Sequence, residues 1–198
     1  MIFLGMAKAT DSKGKTLAAA AKLFRRQGYH GTALHDILAE AGSPRGSLYF
    51  HFPGGKEEIG EAALALSAEA VRQGIARAAE ASESADIFLV RIVRGMAAEL
   101  ERSDYSEGCP IATTALETAA QSEVLGAAAR NAFQKWEIEI KRGLERFGMT
   151  SGDAELVATT VLSQLEGARL LARTYRSLEP IHRAEQAVKL LLRLKQAE

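Results

Sequence analysis

The chain has 198 residues, 47% hydrophobic and 25% charged, with a formal net charge of zero. That balance excludes a disordered chain and a generic polycation, and the length suffices for a helical body or for a small head on a larger body. Cys109, the only cysteine, excludes an intrachain disulfide and points to a reducing compartment, the cytoplasm.

The opening Met1-Ile2-Phe3-Leu4-Gly5-Met6 lacks a basic leader and is too short for a signal-peptide core, so it reads as a frayed end, with Met6 an alternative start. No apolar run approaches the length of a membrane span. The four prolines (44, 53, 110, 180) fall where helices should start or stop, and alternating strand patterns are absent. The expectation is an all-α protein of about nine helices.

The first helix is predicted over about Asp11–Gln27, with Leu17, Ala21 and Phe24 on one face and Gly28 ending it. Thr32 opens a second helix carrying Leu34, Ile37 and Leu38. Gly42 suits a left-handed corner, Ser43 can cap the next helix, and Pro44 fits its first position. That third helix, Ser43 to Phe50, is too short and polar to be core, and it presents Arg45, Ser47, Tyr49 and His51. Two short helices around a glycine corner read as a helix-turn-helix, hence as DNA binding. Residues 1–56 carry eight Lys and Arg against three acids, a net +5, and the remainder carries −5. Such a head would turn toward a polyanion.

Pro53-Gly54-Gly55 break the chain before a long fourth helix, which links head to body from about residue 55. Its two apolar stripes, Ile59/Ala63/Leu66/Ala70 and Leu64/Ala68/Val71/Ile75, predict cover on two sides. The fifth helix (about 86–102) is apolar around most of its circumference. A short sixth follows Pro110 and ends near Ala120, and the seventh spans about Ser122–Phe147. The eighth, about Asp153–Tyr175, sets Thr160, Ser163 and Gly167 beside Leu156 and Leu171. The ninth, about Pro180–Lys195, repeats leucine at 190, 191, 192 and 194, more apolar surface than one neighbour needs, and Val188, Leu191 and Leu192 are its expected interface residues. These two helices are expected to pair with a symmetry mate as a four-helix bundle, making a homodimer. The domains divide at 1–56 and 57–198.

The head resembles the TetR family of bacterial transcriptional regulators. The resemblance rests on Phe24, Gly28, Tyr29, Thr32, Asp36-Ile37, Ala41-Gly42, Gly46-Ser47-Leu48-Tyr49, Phe52 and Lys56-Glu57, in family order over residues 11–60. Pro53-Gly54-Gly55-Lys56 and Gly108-Cys109-Pro110-Ile111 look like the LmrA/YxaF-like branch, some of whose members sense flavonoid-type aromatics. Leu38 departs from the usual alanine, and Pro44 from the usual serine or threonine. The resemblance implies a regulator, acting as a repressor, that binds a near-palindromic operator in double-stranded DNA as a dimer. A small-molecule effector, apolar or aromatic, would release it.

For DNA, Thr32 is expected to offer its hydroxyl and first-turn amides to a phosphate, and Arg45 to bind a guanine edge. Ser43, Pro44, Gly46, Ser47, Tyr49, His51 and Lys56 complete the expected interface. Lys13, Lys15, Lys22, Arg25 and Arg26 are assigned no specific contact. The family's pocket, enclosed by the fourth to the eighth helices, maps onto Phe88, Ile92, Met96, Cys109, Ile111 and Leu116. Phe133, Trp136, Ile140, Leu162 and Glu166 complete it, with Trp136 the strongest candidate for stacking on an aromatic. Most residues of such stripes are ordinarily core.

An enzyme finds little support. His30, His35, His51 and His182 lack metal-ligand spacing, so neither a metal nor a cofactor is expected. Gly54-Gly55-Lys56 misses the phosphate-loop pattern, with Phe50 for its first glycine and Glu57 for its Ser or Thr. No catalytic residue is assigned. The other open reading is a helical ligand-carrier or protein-interaction module without specific DNA binding.

Overall fold

The computed structural model describes residues 3–196, with side chains described for 12–44, 46 and 48–193. Among these residues the chain forms nine α-helices and no strand. They are α1 (Phe3–Gln27), α2 (Leu34–Ala41), α3 (Arg45–His51), α4 (Gly55–Glu80), α5 (Ala85–Arg102), α6 (Ala112–Thr118), α7 (Glu123–Arg146), α8 (Ser151–Tyr175) and α9 (Glu179–Gln196). The first helix thus begins at Phe3 and not near Asp11; Met1 and Ile2 of the expected frayed end lie outside the described residues.

The helices gather into two compact units. One comprises the chain up to Ala68 together with Pro110–Ala132, so it extends past residue 56 into α4 and takes in α6 and the start of α7. Its core is Ala19, Ala20 and Phe24 of α1, Ile37 and Leu38 of α2, Leu48 and Phe52 around α3, and Ile59 and Ala63 of α4. Leu38, larger than the alanine common in the family, is accommodated there as a buried residue. On α1 the sealed stripe is Thr16, Ala20 and Phe24, at steps of four; Leu17 and Ala21 are only partly covered.

The first α4 stripe is buried only at Ile59 and Ala63. Leu66 and Ala70 face solvent, because the head core spans just the first two turns of that stripe. The second is covered further along, at Leu64, Ala68 and Ile75.

The other unit comprises Glu69–Cys109 and the chain from Phe133 onward. Helix α5 buries Phe88, Leu89, Val90, Val93, Met96 and Leu100, and packs on α8 and α9. Helix α8 buries Ala154, Val157, Ala158, Val161, Leu165, Ala168 and Ala172, a small-residue face that permits close helix approach. Its start is capped by Thr150, whose Oγ accepts the Asp153 N–H at 3.3 Å. Ion pairs tie helices within this unit. Arg72 of α4 reaches Glu139 of α7 at 2.7 Å, and Arg169 of α8 reaches Glu99 of α5 at 3.4 Å.

Candidate nucleic-acid interface

Backbone chemistry builds the corner between α2 and α3. Gly42, at φ 59°, sends its N–H to the Ala39 carbonyl, and the Ser43 N–H reaches the Leu38 carbonyl at 3.1 Å. These two bonds close the end of α2 in the pattern that a left-handed glycine allows. Pro44, in extended backbone, is the N-cap of α3. The cap therefore falls one residue after the expected Ser43, whose Oγ lies instead 3.4 Å from Ser12 Oγ of α1.

Thr32 also differs from expectation. It is fully buried, and its hydroxyl donates to the Gly28 carbonyl at 2.7 Å. It closes the turn between α1 and α2 and has no free face for a phosphate. Helix α2 begins after Ala33, whose N–H donates to the Asp36 carboxylate at 2.9 Å.

Leu48 and Phe52 anchor α3 inward, as the sequence predicts. Tyr49 is 60% exposed, and Gly46 and Pro44 face solvent. His51 is half-buried between the Phe50 and Phe52 rings, edge-on to each. Arg45 and Ser47 belong to the backbone of α3, but their side chains lie outside the described residues. Phe50, which the sequence reading left aside, is 79% exposed. Its position two residues from both Leu48 and Phe52 was the available signal, since a step of two on a helix changes face. His35, also unassigned, joins Ala39, Gly42 and Pro44 around a surface hollow at the corner.

Basic side chains of the head are partly engaged within it. The Lys56 ammonium lies 4.4 Å from the centroid of the Tyr29 ring, and burial draws its pKa down against the nearby Glu117. Lys22 pairs with Glu40, and Lys13 lies over the Phe52 ring. Glu117 of α6 accepts the His30 N–H at 2.7 Å, tying α6 to the end of α1.

Among the residues expected to meet an effector, Phe88, Met96, Cys109, Trp136 and Ile140 are buried in the second unit, with Ile92, Phe133, Leu162 and Glu166 half-buried there. Trp136 stands edge-on to Phe133 at 5.5 Å, and Phe88 packs near Phe147 at 6.1 Å. Burial raises the Glu166 carboxyl above its ordinary value, while Arg169 and the Cys109 thiol work in the opposite direction. Ile111 is buried in the first unit. Leu116 is 85% exposed and lines no interior: α6 turns Thr114 and Thr118 inward, so Leu116 falls on its outer face. Among the described residues no group of three His, Cys, Asp or Glu is placed to hold a metal.

On the outer face of α8, Leu156, Thr160, Ser163, Gly167 and Leu171 are exposed, and Leu191 of α9 is half-buried. Val188 and Leu192 depart from their expected interface role. They continue the buried Ile181 and Ala184 stripe into the protomer's own core. Leu190 is exposed, and Leu170 and Tyr175 add apolar surface that the sequence does not single out. A groove of about 660 Å³ lies along α8 and α9, lined by Gly167, Leu171, Tyr175, Pro180 and Ala187 with their neighbours.

An all-helical chain with this corner and this exposed short helix is a helix-turn-helix regulator. Residues 17–63 match the model for bacterial regulatory proteins of the tetR family, and residues 87–187 that for the transcriptional regulator LmrA/YxaF-like, C-terminal domain. The chain is 35% identical to the HTH-type transcriptional regulator LmrA of Bacillus subtilis (strain 168), over 86% of this chain and 91% of that one. It is 31% identical to the uncharacterized HTH-type transcriptional regulator YxaF of the same organism, over 93% and 97%. In fold it is similar to a TetR transcriptional regulator from Legionella pneumophila, with a TM-score of 0.81, 21% identity, and 89% and 94% of the two chains covered. The protein belongs to the TetR family of transcriptional regulators, with a C-terminal domain of the LmrA/YxaF-like kind. No helix among the described residues is long and apolar enough to cross a membrane.

Proposed function

We propose that this regulator is a cytoplasmic, homodimeric repressor. It holds a near-palindromic operator with α3 of each protomer in successive major grooves, and it lets go when a small apolar or aromatic molecule occupies the helical body. The observation that carries this reading is the anchoring of α3. Two inward residues, Leu48 and Phe52, seat the helix behind a glycine corner, and its outer face stays free for a duplex. Residues 1–56 form the reading head, and 57–198 the body that binds the effector and pairs the protomers.

Arg45 is the base-reading side chain in this proposal, with Gly46, Ser47 and Tyr49 beside it and Ser43 and Pro44 at the backbone. In the body, Phe88, Ile92, Met96, Phe133, Trp136 and Ile140 supply apolar surface, and Glu166 a polar anchor. Effector binding favours a head spacing that no longer matches the two half-sites; by linkage, operator DNA lowers effector affinity by the same factor. Leu156, Gly167 and Leu171 form the centre of the dimer face.

The test is selection of operators from a randomised duplex library, with affinities measured at two salt concentrations. A palindromic winner, bound far more tightly than scrambled DNA and with a steep salt slope, is the expected result. Arg45→Ala should weaken the winner by about 1–3 kcal/mol and relax preference at one position per half-site. Absence of any enriched sequence, with weak and salt-insensitive binding, would favour a helical carrier instead.

A further inference from the structure

Helix α3 carries an aromatic ring that its fold does not need. Leu48 and Phe52 are buried at 1% exposure each and fix which side of the helix faces the head core. Phe50 lies about 200° around the helix from Leu48, on the side facing away, and 79% of it is exposed. Gly46, one turn earlier, shares that outward side, and a Cβ built there would meet no atom within 4 Å. The outward side of α3 therefore sets a phenyl ring one turn from a glycine. The ring is also braced. His51 stands edge-on to Phe50 at 5.0 Å and 76°, and is itself edge-on to the buried Phe52 at 6.4 Å and 67°.

A phenyl ring has no donor or acceptor, so it can bind neither a phosphate nor the polar edge of a base. What a major groove offers such a ring is the C5-methyl group of thymine. The occupant is a duplex and not an apolar protein surface, because the ring sits in a head of net charge +5 and its neighbour Tyr49 presents a hydroxyl suited to a phosphate. We propose that Phe50 is a specificity-determining residue that reads a thymine in each half-site through its methyl group. This rests on the DNA-binding reading above. In the complex the methyl packs on the Phe50 ring, and a cytosine or a uracil at that position leaves part of the ring without contact.

The experiment uses the full-length protein and its selected operator, with each thymine replaced in turn by deoxyuridine, which removes the methyl alone. Wild-type protein should lose about fourfold in affinity per half-site at one thymine position, the effect of one buried methyl group. Phe50→Ala should bind the operator more weakly, should show no preference between thymine and uracil there, and should keep its affinity for scrambled DNA. Because Phe50 is exposed, the variant should melt as the wild type does, which separates lost reading from lost folding. Equal binding of every deoxyuridine operator by the wild type would overturn the proposal. So would an undiminished thymine preference in Phe50→Ala. If no operator is enriched in the selection, the DNA-binding reading itself fails, and this inference with it.

Discussion

Gly42 and Gly28 both sit at positive φ, yet substitution should reveal different reasons for each. At Gly42 a Cβ would meet nothing within 4 Å, so Gly42→Ala is penalised only by its left-handed backbone, about 1 kcal/mol. At Gly28 a Cβ would in addition run into the Glu117 carboxylate, the acceptor of the His30 N–H. Gly28→Ala should therefore shift the urea midpoint further than Gly42→Ala does; equal shifts would mean that Glu117 moves aside freely. Glu166 makes a pH-dependent case. Burial raises its carboxyl, so the folded state favours the neutral form and is penalised once the group ionises. The stability of Glu166→Gln relative to wild type should rise as pH climbs from the ordinary value of 4.5 through the folded-state value, and stay level above it. It should level off below the ordinary value of 4.5. Melting curves between pH 4 and 8 measure this, and a pH-independent difference would contradict it.

Elements here are joined by charge as well as by apolar faces. Arg72 bonds Glu69 on its own helix and Glu139 on α7, at 2.8 and 2.7 Å. Hydrogen bonds from Arg72 and Gln73 lower the Glu69 carboxyl to about 2. A depressed folded-state pKa adds stability above the unfolded value of 4.5, and that contribution disappears as pH falls toward 2. Glu69→Gln should accordingly lower the urea midpoint at pH 6 by a small amount, and the difference from wild type should vanish near pH 2. Because the carboxylate is exposed, added salt should shrink the effect. A difference that persists at pH 2 would point to packing and not to charge.

The whole molecule presents an apolar outer face on α8 and α9 whose central residues are not part of the protomer's core. Leu171 is 44% exposed and lines the groove along these helices. Leu171→Glu should leave the helical content and the protomer's fold unchanged, and should turn the dimer into a monomer in sedimentation experiments. Operator affinity should then drop by more than tenfold, because one head alone loses the gain of engaging two linked half-sites. A variant that stays dimeric would place the interface elsewhere. Val188 and Leu192, buried in the protomer, should behave oppositely: alanine there lowers stability by about 1–4 kcal/mol.

Helix positions apart from the start of α1 and the cap of α3, the glycine corner and the inward role of Leu48 and Phe52 were legible in the sequence, because each depends on residues within a turn or two of one another. Local chemistry suffices there: Gly42 has no Cβ to clash, Pro44 needs no donor, and residues four apart share a face. The family itself could be read from the spacing of motifs along residues 11–60. Periodicity identifies an apolar face, however, and not what covers it. Only the tertiary structure decided that Leu116 faces solvent while Thr114 and Thr118 turn inward, and that the first α4 stripe is covered for only two turns. The same holds for Val188 and Leu192, which α9 turns inward while Leu190 faces out. Those outcomes depend on which distant segment arrives at a given face, and short-range spacing carries no record of that.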